Sequence, residues 1–443
     1  MPGEKGADEP LPKDLRERSQ RRLIAYAATG AVGGNIIGPS APLFLLSLGA
    51  SPFLIGLLAT ALSLGSLARV VGVWIMPRLG KVGVIAWGRI FGSSFTLLLI
   101  PLALLSSLEP GVKALIALAL VALRHISVQS GGGAWWPLVQ DNIGSSLSSF
   151  VIRQRMTQRF VAILMPIAIG AYLGSHPAAK TFAVPFLAAA VVSFAGAFLV
   201  RSVSQRPTPI SDRGLWSRFG SVLREPAIRR YCICFSVCAF VHMATVPFWV
   251  VVLRARGLPA NYYVWMMSLE ALGGILSLYV WGRLVELYGT RGPLTLALLL
   301  QALMAPFWLY LPSDLAALTL FAATYYLFFG IVTAGTGFGD TRAMMDSVPE
   351  ENRGEAFAVA NYAHAIGGGL GGFAGGLSFE WISGLAPGSA SIQPSLIYLA
   401  SMQLVILGGL WLSRRLVNYQ VETPAHAMLR HALSRPLRRR TGQ

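Results

Sequence analysis

Arg124 sits near the middle of a long apolar run, Val112 to Trp136, where a guanidinium has to be held by something other than lipid. A charged side chain at the centre of a membrane helix costs about 2.5 to 3.5 kcal/mol on insertion scales, so it faces a cavity or a partner. Ser127 lies one turn on, and the Gly131 to Gly133 run leaves space beside it. Two readings follow: an arginine that binds an anion or modulates a proton, or an interhelical pair with Glu270. Glu270 is the acid set deepest in an apolar run, and it can carry a proton only if no arginine claims it. His125, His242 and His364 titrate near neutral pH and either relay protons or hydrogen-bond within packed interior. Successive helical residues point about 100° apart, so Arg124 and His125 cannot both face one cavity, and one of them packs. Asn35 and Asp340 complete this polar set. Asp340 stands two residues from Arg342, which leaves a structural role as open as contact with a solute. Cys232, Cys234 and Cys238 share one apolar run, where thiols behave as small hydrophobes, and a metal cluster needs more ligands.

A second constellation is built for movement. Gly282 is followed by Glu286 four positions on, by Gly289 three later, and by Arg291. The glycines allow close helix approach and a tight turn, while Glu286 can meet a cation and the positive end of a neighbouring helix. The expected partner is Arg342, in a latch that holds one face closed. The loop from Asp346 through Pro349 to Arg353 and Gly354 continues the motif. Ile75 to Lys81 is a worn counterpart in the first half, with Pro77 in place of the acid and Pro137 opposite Arg342, so both latch partners are missing there together.

Of the 443 residues, 54% are hydrophobic and 12% charged, against about a quarter charged in a soluble domain. Apolar runs of about twenty residues recur along the chain, each long enough to cross a bilayer as helix. They read as an all-α polytopic membrane protein with about twelve transmembrane helices in two pseudo-symmetric six-helix bundles. The first six fall at Leu23–Leu48, Pro52–Ile75, Val82–Leu105, Val112–Trp136, Ser149–Leu173 and Phe182–Val200. The second six fall at Tyr231–Leu253, Tyr262–Leu284, Pro293–Leu311, Leu315–Met344, Ala356–Ile382 and Pro394–Leu412. The chain divides into an N-terminal tail (1–22), a first bundle (23–200), a linker (201–230), a second bundle (231–416) and a basic tail (417–443). The first tail is polar, without the apolar core and cleavage site of a signal peptide.

The formal net charge of +17 in a soluble protein would suggest nucleic acid, but most of the lysines and arginines gather on one side of the expected membrane. Arg69, Arg89 and Arg124 lie within spans. The linker and the C-terminal tail, with its Arg438 to Arg440 run, place both termini in the cytoplasm; Arg254 and Arg256 are the discordant charges. Pro42, Pro101, Pro166 and Pro247 interrupt spans where kinks serve rocking. The glycines at 367, 368, 369, 371, 372, 375 and 376 suit close packing, and Trp135, Trp136, Tyr262, Tyr263 and Trp265 fit an interfacial aromatic belt.

Gly282 to Arg291, with Pro349, Arg353 and Gly354, resembles the loop motifs of the major facilitator superfamily, and the half-repeat and central linker extend the resemblance over the chain. The resemblance implies a monomeric secondary transporter in a cell inner membrane, working by alternating access on a small organic solute, with protons as the expected coupling ion. It also places helices one, four, seven and ten around the path. A non-transporting factor on the same scaffold, such as a lipid scramblase or assembly protein, is the alternative. No cofactor is expected: Gly80-Lys81 continues with Val82, which is no phosphate loop. Nor is an enzyme, since the sequence holds neither an H-E-x-x-H helix nor a G-x-S-x-G turn.

Overall fold

The computed structural model describes residues 13–105, 107–143, 147–207, 220, 222–347, 353–385 and 392–416. The remainder of both tails, linker residues 208–219 and 221, Pro349 and the Arg438 to Arg440 run lie outside the described residues. Among those described the chain is helical, with no strand.

The first part runs α1 (Lys13–Ser47), α2 (Pro52–Gly65), a 3-10 turn (Ser66–Ala68), α3 (Arg69–Leu104), α4 (Pro110–Ile143), α5 (Leu147–Leu173) and α6 (Ala183–Arg201). The second part runs α7 (Pro226–Ala255), α8 (Ala260–Tyr288), α9 (Arg291–Leu303), a 3-10 segment (Ala305–Tyr310), α10 (Leu315–Asp346), α11 (Arg353–Leu385), α12 (Ile392–Leu404) and α13 (Ile406–Ser413). Local chemistry sets the starts and stops. Pro52 and Pro226 occupy first turns, where a missing N–H costs nothing. Asp314 caps α10 by accepting from the Ala317 N–H at 3.0 Å. Three expected helices are broken: the 3-10 turn Ser66–Ala68 interrupts the second, Pro306 turns the end of the ninth into 3-10 geometry, and the last divides at Val405.

α3 is not one rod. Gly80 has φ 73° and ψ 161°, a conformation L side chains avoid, and there the chain folds back. Gly72 and Gly88, on either side, both press on the Ser127 to Gly131 stretch of α4. Gly289, which ends α8, has φ 72° and ψ −167°. Two turns that the sequence aligns therefore share one backbone geometry.

Large apolar side chains such as Leu320 (70% exposed), Trp381 (68%) and Phe198 (63%) point outward, which suits a hydrocarbon surrounding rather than water. Among the described residues nine segments are long and apolar enough to cross a membrane, one of them the 53-residue stretch Pro52–Leu104 that reverses at Gly80. The chain is a multi-pass membrane protein.

Its core is asymmetric along the membrane normal. At the end away from the termini, one apolar cluster draws from both parts: Phe44, Leu99, Phe182 and Phe186 join Phe248, Trp249, Phe329 and Phe379. At the terminal end there are separate clusters, one around Leu23, Ile85, Leu138 and Val200, another around Ile228, Phe235, Leu298 and Ile406. Glycines explain the far-end union. A Cβ on Gly56 of α2 would lie 2.6 Å from the Gly372 carbonyl and 2.7 Å from the Gly376 nitrogen of α11. The opposite face of the same glycine run, at Gly367 and Gly371, seats against the α7 backbone at Ser236 and Phe240.

Polar ties reinforce the far end. Phe53 N–H donates to Glu380 Oε2 at 3.1 Å, and Thr60 Oγ1 to the Gly369 carbonyl at 3.1 Å. The Ala260 and Asn261 N–H groups donate to the carbonyls of Ser175 and Gly174 at 3.0 and 3.1 Å. Arg254 adds a 3.3 Å bond to the Ser175 carbonyl and a 2.7 Å bond to that of Leu258, so the charge that breaks the positive-side pattern ties the two parts together.

Candidate functional site

A cavity of about 500 Å³ lies between the two parts, flanked by the divided terminal-end clusters. Leu62, Ser63, Ser66 and Arg69 contribute from the first part together with His125 and Gln129 of α4; Phe235, Cys238, His242, Asp340, Asn361 and His364 contribute from the second. The 3-10 turn matters here. Ser66 bonds back to the Ser63 carbonyl at 2.7 Å, the helix tightens through Ala68, and Arg69 emerges on the cavity side.

A polar belt crosses this cavity. Arg69 donates through Nε to Gln129 Oε1 at 2.9 Å and through Nη1 to Asn361 Oδ1 at 2.7 Å, a bond from one part to the other. Gln129 Nε2 lies 3.3 Å from His125 Nε2. One turn along α11 from Asn361, His364 Nε2 stands 3.7 Å from Asp340 Oδ1, which also accepts from the Tyr231 hydroxyl. His242 stacks on Phe329, with ring centroids 5.9 Å apart. The belt thus has a guanidinium at one end and a carboxylate between an imidazole and a phenol at the other.

The expected site residues separate into groups. His125, His242, His364 and Asp340 line the cavity. Arg124 does not, although its chain neighbour does: it is 8% exposed and turned into the first part, where the nearby charge is a second buried arginine, Arg89. Gly30 and Gly33 of α1 leave room for the two guanidiniums, and Arg89 lies over the Tyr26 ring at 4.8 Å. Glu270 answers to Arg159 of α5, not to Arg124, and neighbours Tyr263 and Tyr326. Asn35 spends its Nδ2 on the Ala31 carbonyl of its own helix at 2.8 Å.

The loop motif holds a different set of bonds from the one expected. Gly289 makes the turn, and Arg291 donates to the Leu416 carbonyl at 2.6 and 3.2 Å. Glu286 is exposed and forms no ion pair with Arg342 in this conformation. Gly282 stands mid-turn in α8, and Arg353 opens α11. In the first part a pair does exist, four residues beyond Pro77 and Pro137: Lys81 Nζ lies 2.8 and 2.6 Å from Asp141 Oδ1 and Oδ2, both residues buried. Asp141 Oδ2 also accepts the Arg206 N–H at 2.9 Å, and Gln205 accepts the Val82 N–H at 2.8 Å, which pins the start of the linker to this turn.

Two aromatic expectations change as well. Tyr263 is 4% exposed within the shared core, and Trp265 donates to the Ile167 carbonyl of α5 at 3.1 Å, so both serve packing between the parts rather than an interfacial belt. Trp135 stacks on Tyr26. The residues that sequence reasoning passed over, Arg69, Gln129 and Asn361, carried a usable signal in one case: the rule that singled out Arg124 applied equally to Arg69.

Residues 153–372 match the family model described as Major Facilitator Superfamily. No curated protein matches the sequence. Among solved structures, a point mutant of the nucleoside transporter NupG aligns with TM-score 0.69 at 12% identity, covering 90% of this chain and 99% of that one. A bacterial homolog of the human lysosomal transporter Spinster, inward-facing and occupied, gives 0.66 at 14%, with coverage of 92% and 99%. A bacterial homologue of the iron transporter ferroportin, inward-facing, gives 0.61 at 16%, with coverage of 89% and 99%. At such identities the likeness is one of fold.

Proposed function

The chain belongs to the major facilitator superfamily, and from that premise we propose that it is a secondary transporter carrying a small organic solute by alternating access, with proton movement at Asp340 and His364 coupled to it. The observation that carries this reading is the core, continuous between the parts at one end and divided around a cavity at the other. Two rigid bodies that meet at glycine crossings can rock without repacking their own interiors.

Dividing the Pro52–Leu104 stretch at Gly80 and adding α1 and α11 to the nine apolar segments gives twelve crossings, six on each side of the linker. α1 and α11 are the long helices diluted by glycine, asparagine and serine. On this reading the bundles are 23–200 and 231–416, joined by 201–230, and the arginine-rich linker and tails put the terminal end in the cytoplasm of a cell inner membrane. The conformation is then open to the cytoplasm, and the protein works as a monomer. Glu286 and Arg342 pair in the opposite state, when the terminal end closes.

Asp340 is the proposed proton site because it combines cavity access with two partners able to give or take a proton, Tyr231 and His364. The test is uptake of a solute panel by the purified protein in liposomes, with and without a pH gradient. Asp340→Asn should keep exchange of internal for external solute and lose uptake driven by the gradient. If no solute moves under any gradient while lipid flips between leaflets, the scaffold serves lipid movement instead.

A further inference from the structure

Positive charge around the cavity is not matched by negative charge. Arg69 spends Nε and Nη1 on the neutral side chains of Gln129 and Asn361, and among the described residues its Nη2 takes no partner. Behind it the charge continues: Gln129 links Arg69 to His125, the next residue back is Arg124, and Arg124 neighbours Arg89. Arg124 and Arg89 are 8% and 7% exposed. Among the described residues none of the three arginines meets a carboxylate, and the polar partners of Arg89 reduce to Tyr26, 3.1 Å from Nε. Among the described residues the one carboxylate on the cavity wall, Asp340, already has Tyr231 and His364.

Like charges gathered at low dielectric, without a counter-ion, draw an anion. A guanidinium edge matches two oxygens of one group and cannot lose its proton, so the preferred guest carries an oxyanion. The rest of the wall, with Leu62, Phe235, Met243 and Ala365, is apolar. A volume near 500 Å³ accommodates a small organic molecule.

We propose that the solute is an organic oxyanion with an apolar body, held at its charged end by the free Nη2 of Arg69, with Arg124 and Arg89 supplying a fixed positive field from behind the wall. This rests on the transport reading and narrows it to a substrate class. Arg69 is the binding residue; Arg124 and Arg89 are positioning residues that act through the field, because neither reaches the cavity.

The experiment uses three aryl probes of one shape: a naphthalenesulfonate, its neutral sulfonamide and the corresponding trimethylammonium. Binding is read as thermal stabilisation of the full-length protein in detergent, and movement as uptake into liposomes. The sulfonate should stabilise the protein and the other two should not. Arg69→Gln should weaken sulfonate binding about tenfold to a hundredfold, the worth of a charge-assisted hydrogen bond, and Arg69→Lys should recover part of it. Arg124→Gln should weaken binding less and make it less sensitive to salt, a readout that loss of packing alone would not give. The wild-type comparison across the three probes needs no variant to fold. Equal or better stabilisation by the amide or the ammonium overturns the inference, as does sulfonate selectivity that survives in Arg69→Gln. Binding of the sulfonate with no uptake in liposomes overturns the transport reading and leaves the anion site standing, whereas uptake of the ammonium alone does the reverse.

Discussion

Replacing Gly56 by valine should drive the protein out of the conformation described here. The new Cβ would meet the Gly376 Cα, the Gly372 carbonyl at 2.6 Å and the Gly376 nitrogen at 2.7 Å. All three are backbone atoms, so no rotamer change relieves the contact, and α2 and α11 have to separate by about 1 Å to restore van der Waals distance. Overpacking of this kind costs about 1 to 3 kcal/mol. The cost falls only on the state in which the far end is closed, so the ratio of the two states should shift by about 5- to 150-fold. Ala239→Cys, on the cavity wall, reports the shift in a background where Cys232, Cys234 and Cys238 are replaced by alanine. Its reaction with a membrane-impermeant maleimide, applied from the side that bears the termini, should slow in Gly56→Val. Gly384→Ala is the control, since a Cβ there meets nothing within 4 Å. If Gly56→Val labels at the control rate and remains folded, the glycine crossing is not what closes the far end.

Other outcomes follow from single contacts. Asp141→Asn leaves the Lys81 ammonium buried without its carboxylate and should cost about 3 to 5 kcal/mol in thermal unfolding, while the double replacement Lys81→Met with Asp141→Leu should recover most of that. Tyr325→Phe removes the hydroxyl that accepts from Trp308 at 2.9 Å and donates to Gln403 at 3.0 Å, and should lower stability by about 1 to 3 kcal/mol, read as a fall in Tm. Glu286→Ala, at an exposed carboxylate, should change stability by no more than about 0.5 kcal/mol. It should nevertheless speed labelling of Ala239→Cys from the terminal side, if the pair with Arg342 belongs to the opposite state.

Much of the architecture was legible because lipid leaves few alternatives. An apolar run of fixed length has to be a helix, and a motif glycine between two such runs has to be a turn. Gly80 and Gly289 could be read that way, and the Gly367 to Gly376 run could be read as a close crossing. Partner choice was not legible. Glu270 lies in the field of Arg159 rather than of Arg124 because α8 crosses α5, and nothing in the spacing of either residue says which helices cross. Lys81 and Asp141 escaped notice because a pair was sought at Pro77 and Pro137, and the one that forms stands four residues beyond both. Arg69 was visible as a charge inside a span, but its access to the cavity depends on the 3-10 turn before it. That turn, Ser66–Ala68, has no proline or glycine inside it to give it away.

Much of the far-end closure is made with main-chain atoms. Ser175 and Gly174 receive the Ala260 and Asn261 N–H groups and the Arg254 guanidinium on their carbonyl oxygens. Every residue type carries such an oxygen, so exchanging the side chain of Ser175 leaves its acceptor in place, whereas Gly174, at φ 67°, keeps its acceptor only as glycine. Homologues can therefore vary in composition at Ser175 while keeping the same seal, and an alanine there would overlook it. Perturbing the seal requires a change of loop length or of backbone hydrogen-bonding capacity, such as an ester in place of an amide at the start of α8.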